Sequence, residues 1–397
     1  MSFTVTETTY VGPFDRLKNS IKGVFLGFLL FVLAFPLLFW GERRTNVGEL
    51  VEKAEMVDLN TPPAGIEGKH IKGQALLKAQ TPATDPEFLN NANFLALRRH
   101  AEIYAWVEEK ETKTEQSGGT EKKTTTYKYH KKWVGTPEDS RQFKQQQTPQ
   151  NPTTRMFKDS SSFASGVVIG KLECSPEKAT LMGMKPFTPS VDQWIKADGR
   201  FPSGSFVYFR QGADSIPQIG DERVSFNGWP LPAEGFQVSV AGSIAGSKIG
   251  PLIYDSTSEF LGLHPGTPGE MEAQLKSEHS MMTWIIRLVG FFMMFGGMAA
   301  IVGPFTTAME YIPIVGSMGS SVIHGILFVI ALFLTVTTII FAKMFYVAIG
   351  IGVLVLGGLF FLIIKGLAGG KPGSAHQPAM AAAHNAPPPP PPPPPAS

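Results

Sequence analysis

The sequence predicts an α-helical multi-pass membrane protein, with four transmembrane helices and a large α+β, strand-rich domain between the first and second spans. Three observations carry this. Apolar runs cover residues 282–302, 322–342 and 345–364, each about the 20 residues that a helix needs to cross a ~30 Å hydrocarbon core. A fourth run, 24–40, lies close to the N-terminus. Between it and the other three, residues 42–280 are largely polar, with short alternating segments broken by Pro and Gly. That texture belongs to strands and turns.

Composition narrows the function classes. The 397 residues carry 35 Lys and Arg against 33 Asp and Glu, a net charge of +2. No continuous basic patch of the kind nucleic acid requires is present in the sequence. The single cysteine, Cys174, excludes an intrachain disulfide and a cysteine-built zinc site.

In chain order, residues 1–22 form a short polar segment expected on the cytoplasmic side, and 23–41 the first span. The run contains Pro36, ends in Leu38-Phe39-Trp40 and is followed by no small-residue cleavage site, so it reads as an uncleaved signal anchor. Gly23 and Gly27 form a GxxxG pair suited to helix packing. In the domain, 66–77 and 95–109 alternate with period two. The second of these pairs with 124–133 as a long hairpin tipped by Ser117-Gly118-Gly119, with Tyr127, Tyr129 and Trp133 on one face. A loop over 136–162 follows, then a small apolar strand over 163–172. Ser175-Pro176 and Thr188-Pro189 each signal a short helix, with a capping hydroxyl before a proline at the first helical position. Further strands are expected at 206–209, 223–226 and 236–240. A small barrel or sandwich accommodates these. Thr267-Pro268-Gly269-Glu270 is a capping box that starts a helix leading straight into the second span, 281–303. An interfacial link (304–321), a third span (322–342) and a fourth (344–365) follow. The tail, 366–397, ends in nine prolines and reads as disordered with a polyproline II end.

Several blocks are familiar together. Leu97-Arg98-Arg99-His100-Ala101-Glu102-Ile103-Tyr104-Ala105-Trp106-Val107-Glu108, then Tyr127-Lys128-Tyr129, Trp133 and Asn151-Pro152, occur in the order found in one family. Pro217-Gln218-Ile219-Gly220-Asp221-Glu222-Arg223-Val224-Ser225-Phe226 and Thr283-Trp284-Ile285-Ile286-Arg287-Leu288-Val289-Gly290 continue it. The chain thus resembles the LUMA, or transmembrane protein 43, family over about residues 23–364, with Thr148-Pro149-Gln150 departing from the usual Gly-His before Asn-Pro. The poly-proline tail lies outside the resemblance, and with the divergence it suggests a bacterial member. The resemblance implies a non-enzymatic membrane scaffold that self-associates as a homo-oligomer and binds other membrane or envelope proteins. It also implies a large domain on the lumenal side and both termini on the cytoplasmic side. In a bacterium this becomes the plasma (inner) membrane with a periplasmic or extracellular domain. The distribution of Arg16, Lys18, Lys22, Lys365 and Lys371 against Arg43, Arg44 and Lys343 leans the same way.

The chemistry of the sequence is sparse. HExxH, GxxxxGK[ST], GxSxG and paired-cysteine motifs are missing from it, and its eight histidines are scattered. The reading is therefore no catalytic residue, no metal and no cofactor, with the lipid bilayer as one partner and nucleic acid not among them. Glu102 and Glu108 share a strand face and suit ion pairs across the hairpin better than acid–base work. Gly220-Asp221 with Arg223 reads as a structural turn in which Arg223 pairs with Asp221. Arg287, a turn inside the second span, reads as snorkelling or structurally paired. Candidate fold or interface residues are Arg98, Arg99, Glu102, Tyr104, Trp106, Tyr127, Tyr129, Trp133, Gly220, Asp221, Arg223, Trp284 and Arg287. A transporter or channel would show polar residues along a span face, and an unrecognised enzyme would show clustered titratable groups in a pocket.

Overall fold

The computed structural model describes residues 3–90, 92–117, 120–190, 192–195, 200–210, 216–309, 321–345 and 357. The chain divides into two compact units, Met1–Ile339 and Ile340–Ser397. The tail, nearly all of the expected fourth span and residues 310–320 of the link lie outside the described residues.

Among the described residues three helices, not four, are long and apolar enough to cross a membrane. They are α1 (Pro13–Arg43), which leads on to the short α2 (Val47–Lys53), α3 (Pro268–Met309) and α4 (Ser321–Phe345). Pro13 opens α1 at a position whose N–H has no helical partner anyway. The capping box forms as the sequence predicts. Thr267 N donates to Glu270 Oε2 at 2.7 Å, and Glu270 N to Thr267 Oγ1 at 3.3 Å. From there α3 runs 42 residues, about 63 Å at 1.5 Å per residue. Its first turns bury Met271 and Leu275 against Val51 of α2 and Ala241, Leu252 and Phe260 of the domain. One unbroken helix thus carries the domain's packing into the span.

The domain is strand-rich and, among the described residues, holds two eight-stranded sheets and a two-stranded hairpin. The first has the order β1 (Phe3–Val11), β5 (Thr120–Val134), β4 (Phe94–Ser117), β13 (Glu222–Pro230), β12 (Phe206–Phe209) and β11 (Arg200–Ser203). β6 (Ser160–Phe163) pairs with β4, and β10 (Lys185–Phe187) with β13. β4 and β5 are the expected hairpin, in register from Ile103↔Val134 to Ser117↔Thr120.

The second sheet contains β3 (His70–Lys78), β7 (Val167–Ile169), β8 (Leu172–Cys174), β15 (Lys248–Gly250) and β14 (Phe236–Ala245). β14 pairs back onto β3, so these five strands close into a ring. A small barrel results, its edges removed by closure. Ile71, Leu77, Ile169, Val238 and Val240 belong to its buried core. β2 (Glu55–Met56), β18 (Gly262–His264) and β9 (Thr180–Leu181) attach outside the ring, and β16 (Leu252–Tyr254) with β17 (Ser258–Phe260) forms a separate hairpin.

Three expectations need correction. The single apolar strand over 163–172 is broken into β6, β7 and β8, because Gly166 and Gly170, at φ 60° and 62°, turn the chain between them. Ser175-Pro176 does start a 3₁₀ turn, Pro176–Lys178, whereas Thr188-Pro189 starts no helix among the described residues. There the Thr188 hydroxyl meets the Ser205 hydroxyl at 2.8 Å instead of capping a helix. Finally, the short polar segment read over 1–22 contributes Phe3–Val11 to the first sheet. That stretch is a nine-residue strand paired along its whole length with β5, from Phe3↔Tyr129 to Val11↔Glu121. Glu7 fastens it, with Lys144 Nζ at 2.5 Å holding the Glu7 carboxyl below its usual pKa.

Candidate functional site

One face of the first sheet packs into a core with Val224, Phe226, Ala101 and Leu97. By strand alternation the other face presents Arg223, which lies directly across from Glu102. Arg223 Nε donates to Glu102 Oε2 at 2.7 Å, and the guanidinium lies 3.9 Å from the Phe206 ring centre and 4.6 Å from that of Trp133. Trp133 in turn meets Tyr104 at 5.2 Å and Tyr208 at 5.6 Å. A cation clamped between two rings and held by a carboxylate is rigid, and these side chains are half-buried. Such a face suits recognition more than chemistry, since aromatic residues and Arg dominate protein interfaces.

The turn before β13 supports this row. Gly220 takes φ 95°, and its N–H donates to the Tyr104 carbonyl at 3.0 Å. Asp221 is buried and accepts from Gln218 N at 2.8 Å. The structural turn is therefore present, but Arg223 pairs with Glu102 rather than Asp221. Glu102 and Glu108 are not a carboxylate pair. Glu108 accepts from the Tyr129 hydroxyl at 2.7 Å, and burial with that bond raises the Tyr129 phenol to about 12. Tyr129 stacks on Phe3 at 4.8 Å, Trp106 is buried beside it, and Tyr127 reaches Glu7 at 3.4 Å. Arg99 lies apart from the row, bonded to Asp85 and Glu87 and 4.5 Å from the Phe88 ring centre, while Arg98 is exposed.

A second constellation joins α1 to α3. Arg287 of α3 binds Glu42 at the end of α1 through two bonds, of 2.5 and 3.0 Å. The Glu42 side chain is 3% exposed, and Arg287 also lies 4.9 Å from the Trp284 ring centre. Arg287 is thus structurally paired. Above it α1 and α3 pack antiparallel along a line of small residues. A Cβ on Gly27 would stand 2.6 Å from Ala300 Cβ and 2.7 Å from the Gly297 carbonyl, and one on Gly303 would stand 2.9 Å from Ser20 Oγ. Gly23 meets nothing within 4 Å. The seam is Ser20, Gly27, Ala34 and Gly41 on α1, with Gly290 and Gly297 on α3. Its signal is a seven-residue spacing, which the four-residue GxxxG pattern hides. Glu42 and Asn151, whose side chain bonds both backbone groups of Trp106 at 2.8 Å, were also missed as anchors. Among the described residues no three His, Cys, Asp or Glu side chains are grouped to hold a metal.

A family model described as transmembrane protein 43 matches residues 103–348, running from within β4 through the domain and beyond α4. This chain belongs to the transmembrane protein 43 family. Mouse transmembrane protein 43 is 26% identical over 360 residues, covering 86% of this chain and 89% of the mouse protein. The human protein is 26% identical over 361 residues with the same shares. A Drosophila melanogaster homologue is 25% identical over 300 residues, covering 71% of this chain and 77% of its own length. No solved structure matches. Of the residues above, Tyr104, Trp106, Tyr127, Tyr129, Trp133, Gly220, Asp221, Arg223, Trp284 and Arg287 fall inside the transmembrane protein 43 match. Gly23, Gly27, Glu42, Arg98, Arg99 and Glu102 precede it.

Proposed function

We propose that this chain is a non-enzymatic membrane scaffold of the transmembrane protein 43 kind, which self-associates and binds partner membrane proteins. We place it in the plasma (inner) membrane of a bacterium, with the large domain on the periplasmic or extracellular side. The observation that carries the reading is the rigid coupling of domain to helices: α3 is continuous from the domain core into the apolar run, and Arg287 locks it to Glu42. A domain held so stiffly presents its Arg223–Trp133–Phe206 row in a fixed pose, which lowers the entropic cost of docking.

The test has two arms. Blue-native electrophoresis and in-cell cross-linking report assembly, and a monomer that captures no other membrane protein overturns the scaffold. A cysteine at Ser117, in a Cys174→Ser background, is treated with a membrane-impermeant maleimide. Labelling of intact cells places the domain outside; labelling only after lysis overturns the orientation.

A further inference from the structure

Where α1 leaves the apolar run, a cavity of about 610 Å³ opens between the end of α1, α3 and the β16–β17 turn. Its lining is of mixed kind. Arg43 and Arg44 come from the end of α1, Asp255 from the turn, Glu278 from α3, and Trp40 and Met282 from the apolar sides of the two helices. Two arginines, two acidic residues and a tryptophan therefore line one space.

The local backbone is fixed by its turn and by side-chain bonds. Asp255 and Ser256 adopt φ 49° and 64°, the left-handed pair that the tight turn between β16 and β17 uses. The Thr45 hydroxyl donates to the Asp255 carboxylate and ties the turn to the α1–α2 connection. Arg44 Nη2 donates to the His279 carbonyl at 3.2 Å, which anchors the guanidinium on α3. A guanidinium has five N–H donors, so this bond leaves donors for an oxyanion. Glu278 accepts from Gln274 at 2.9 Å and retains its second oxygen.

We propose that this cavity binds the headgroup of a zwitterionic phospholipid of the phosphatidylethanolamine type. The phosphate rests on Arg44, whose planar donors match its oxygens, while Arg43, its guanidinium 5.2 Å from the Phe39 ring centre, adds positive charge to the lining. The ammonium lies between the Asp255 and Glu278 carboxylates and the Trp40 ring. The same phosphate–ammonium chemistry exists in a soluble headgroup, but the rim favours a lipid. From Trp40 an exposed ridge continues along α1 through Pro36, Leu33 and Leu29, and from Met282 another continues along α3 through Ile285 and Val289. Both ridges start at the cavity and provide apolar surface for acyl chains.

The test uses the full-length chain, purified in detergent and delipidated, with native mass spectrometry as readout. Dioctanoyl phosphatidylethanolamine, dioctanoyl phosphatidylglycerol and soluble glycerophosphoethanolamine are compared. The expected result is one phosphatidylethanolamine per chain, bound at least about tenfold tighter than phosphatidylglycerol, with no binding of the soluble headgroup at saturating lipid. Arg44→Gln is expected to weaken both lipids by roughly tenfold. Glu278→Gln is expected to keep lipid binding and shrink the preference to about threefold or less. Lys248→Gln, remote from the cavity, serves as the unchanged control. Equal wild-type affinity for the two lipids overturns the proposal, and so does equal competition by the soluble headgroup. Should Arg44→Gln fail to fold, the wild-type comparison and Glu278→Gln decide between these outcomes.

Discussion

Glu42 and Arg287 stand 245 residues apart in the chain and meet in a two-bond ion pair, at 2.5 and 3.0 Å, with the carboxylate 3% exposed. A pair this dry is held by mutual compensation. Taking Glu42 away leaves Arg287 desolvated without this counter-charge. Glu42→Ala is therefore expected to destabilise the α1–α3 junction by about 3 kcal/mol. The double variant Glu42→Ala, Arg287→Met should recover part of that loss, which a double-mutant cycle on unfolding in mixed micelles measures. Additive losses would show that the pair contributes no coupling.

The helix seam predicts opposite results at two neighbouring glycines. Gly27→Val must displace the Gly297 backbone, which would lie within 2.7 Å of the new Cβ. A loss of about 1–3 kcal/mol follows from overpacking. Gly23→Ala enters open space, so a change within about 0.5 kcal/mol is expected. Resistance to detergent unfolding separates the two.

Alkaline conditions probe the domain. Burial pushes the Cys174 thiol up from 9.0 to about 12, and the Tyr129 phenol rises from 10.0 to about 12. Both folded values exceed the unfolded ones, so the folded state keeps its protons longer. Stability from these groups is complete below pH 9 and falls as pH climbs from 9 to 12. A pH series of thermal unfolding should show that decline, and Tyr129→Phe should flatten its upper part. At pH 8 the native thiol should resist iodoacetamide and react only on unfolding.

The N-terminal strand makes a prediction about topology. β1 precedes α1 and β5 follows it, yet they pair over nine residues. Strands in different compartments cannot share hydrogen bonds, so this pairing conflicts with a cytoplasmic 1–22 segment opposite the domain. Keeping both would send the hairpin's Lys and Glu side chains through hydrocarbon, at ~2.5–3.5 kcal/mol for each charge near the centre. Thr6 and Thr126 are Cα partners, within the 4.4–6.8 Å that a disulfide spans when strands pair. Thr6→Cys with Thr126→Cys, in the Cys174→Ser background, is expected to cross-link in membranes. If it cross-links only in detergent, insertion of α1 detaches β1, and the N-terminus returns to the cytoplasm.

What the sequence determined by itself is what short-range pattern controls. The apolar runs of α1, α3 and α4, the Thr267–Glu270 capping box and the strand at 206–209 are written within a few neighbouring residues. The hairpin was legible for the same reason, because two alternating segments flank a Gly-Gly pair in the sequence. Tertiary structure alone decided the partners. Period-two alternation states that β3 and β14 are strands but not that they pair and close a ring. The residues 3–11 carry no mark that sends them to β5. Arg223 had carboxylates at Asp221 and Glu102 to choose from, and sheet register chose Glu102. Such choices depend on which groups are buried together across more than 100 residues of chain, and hydrogen bonding and desolvation settle them only once the sheets have closed.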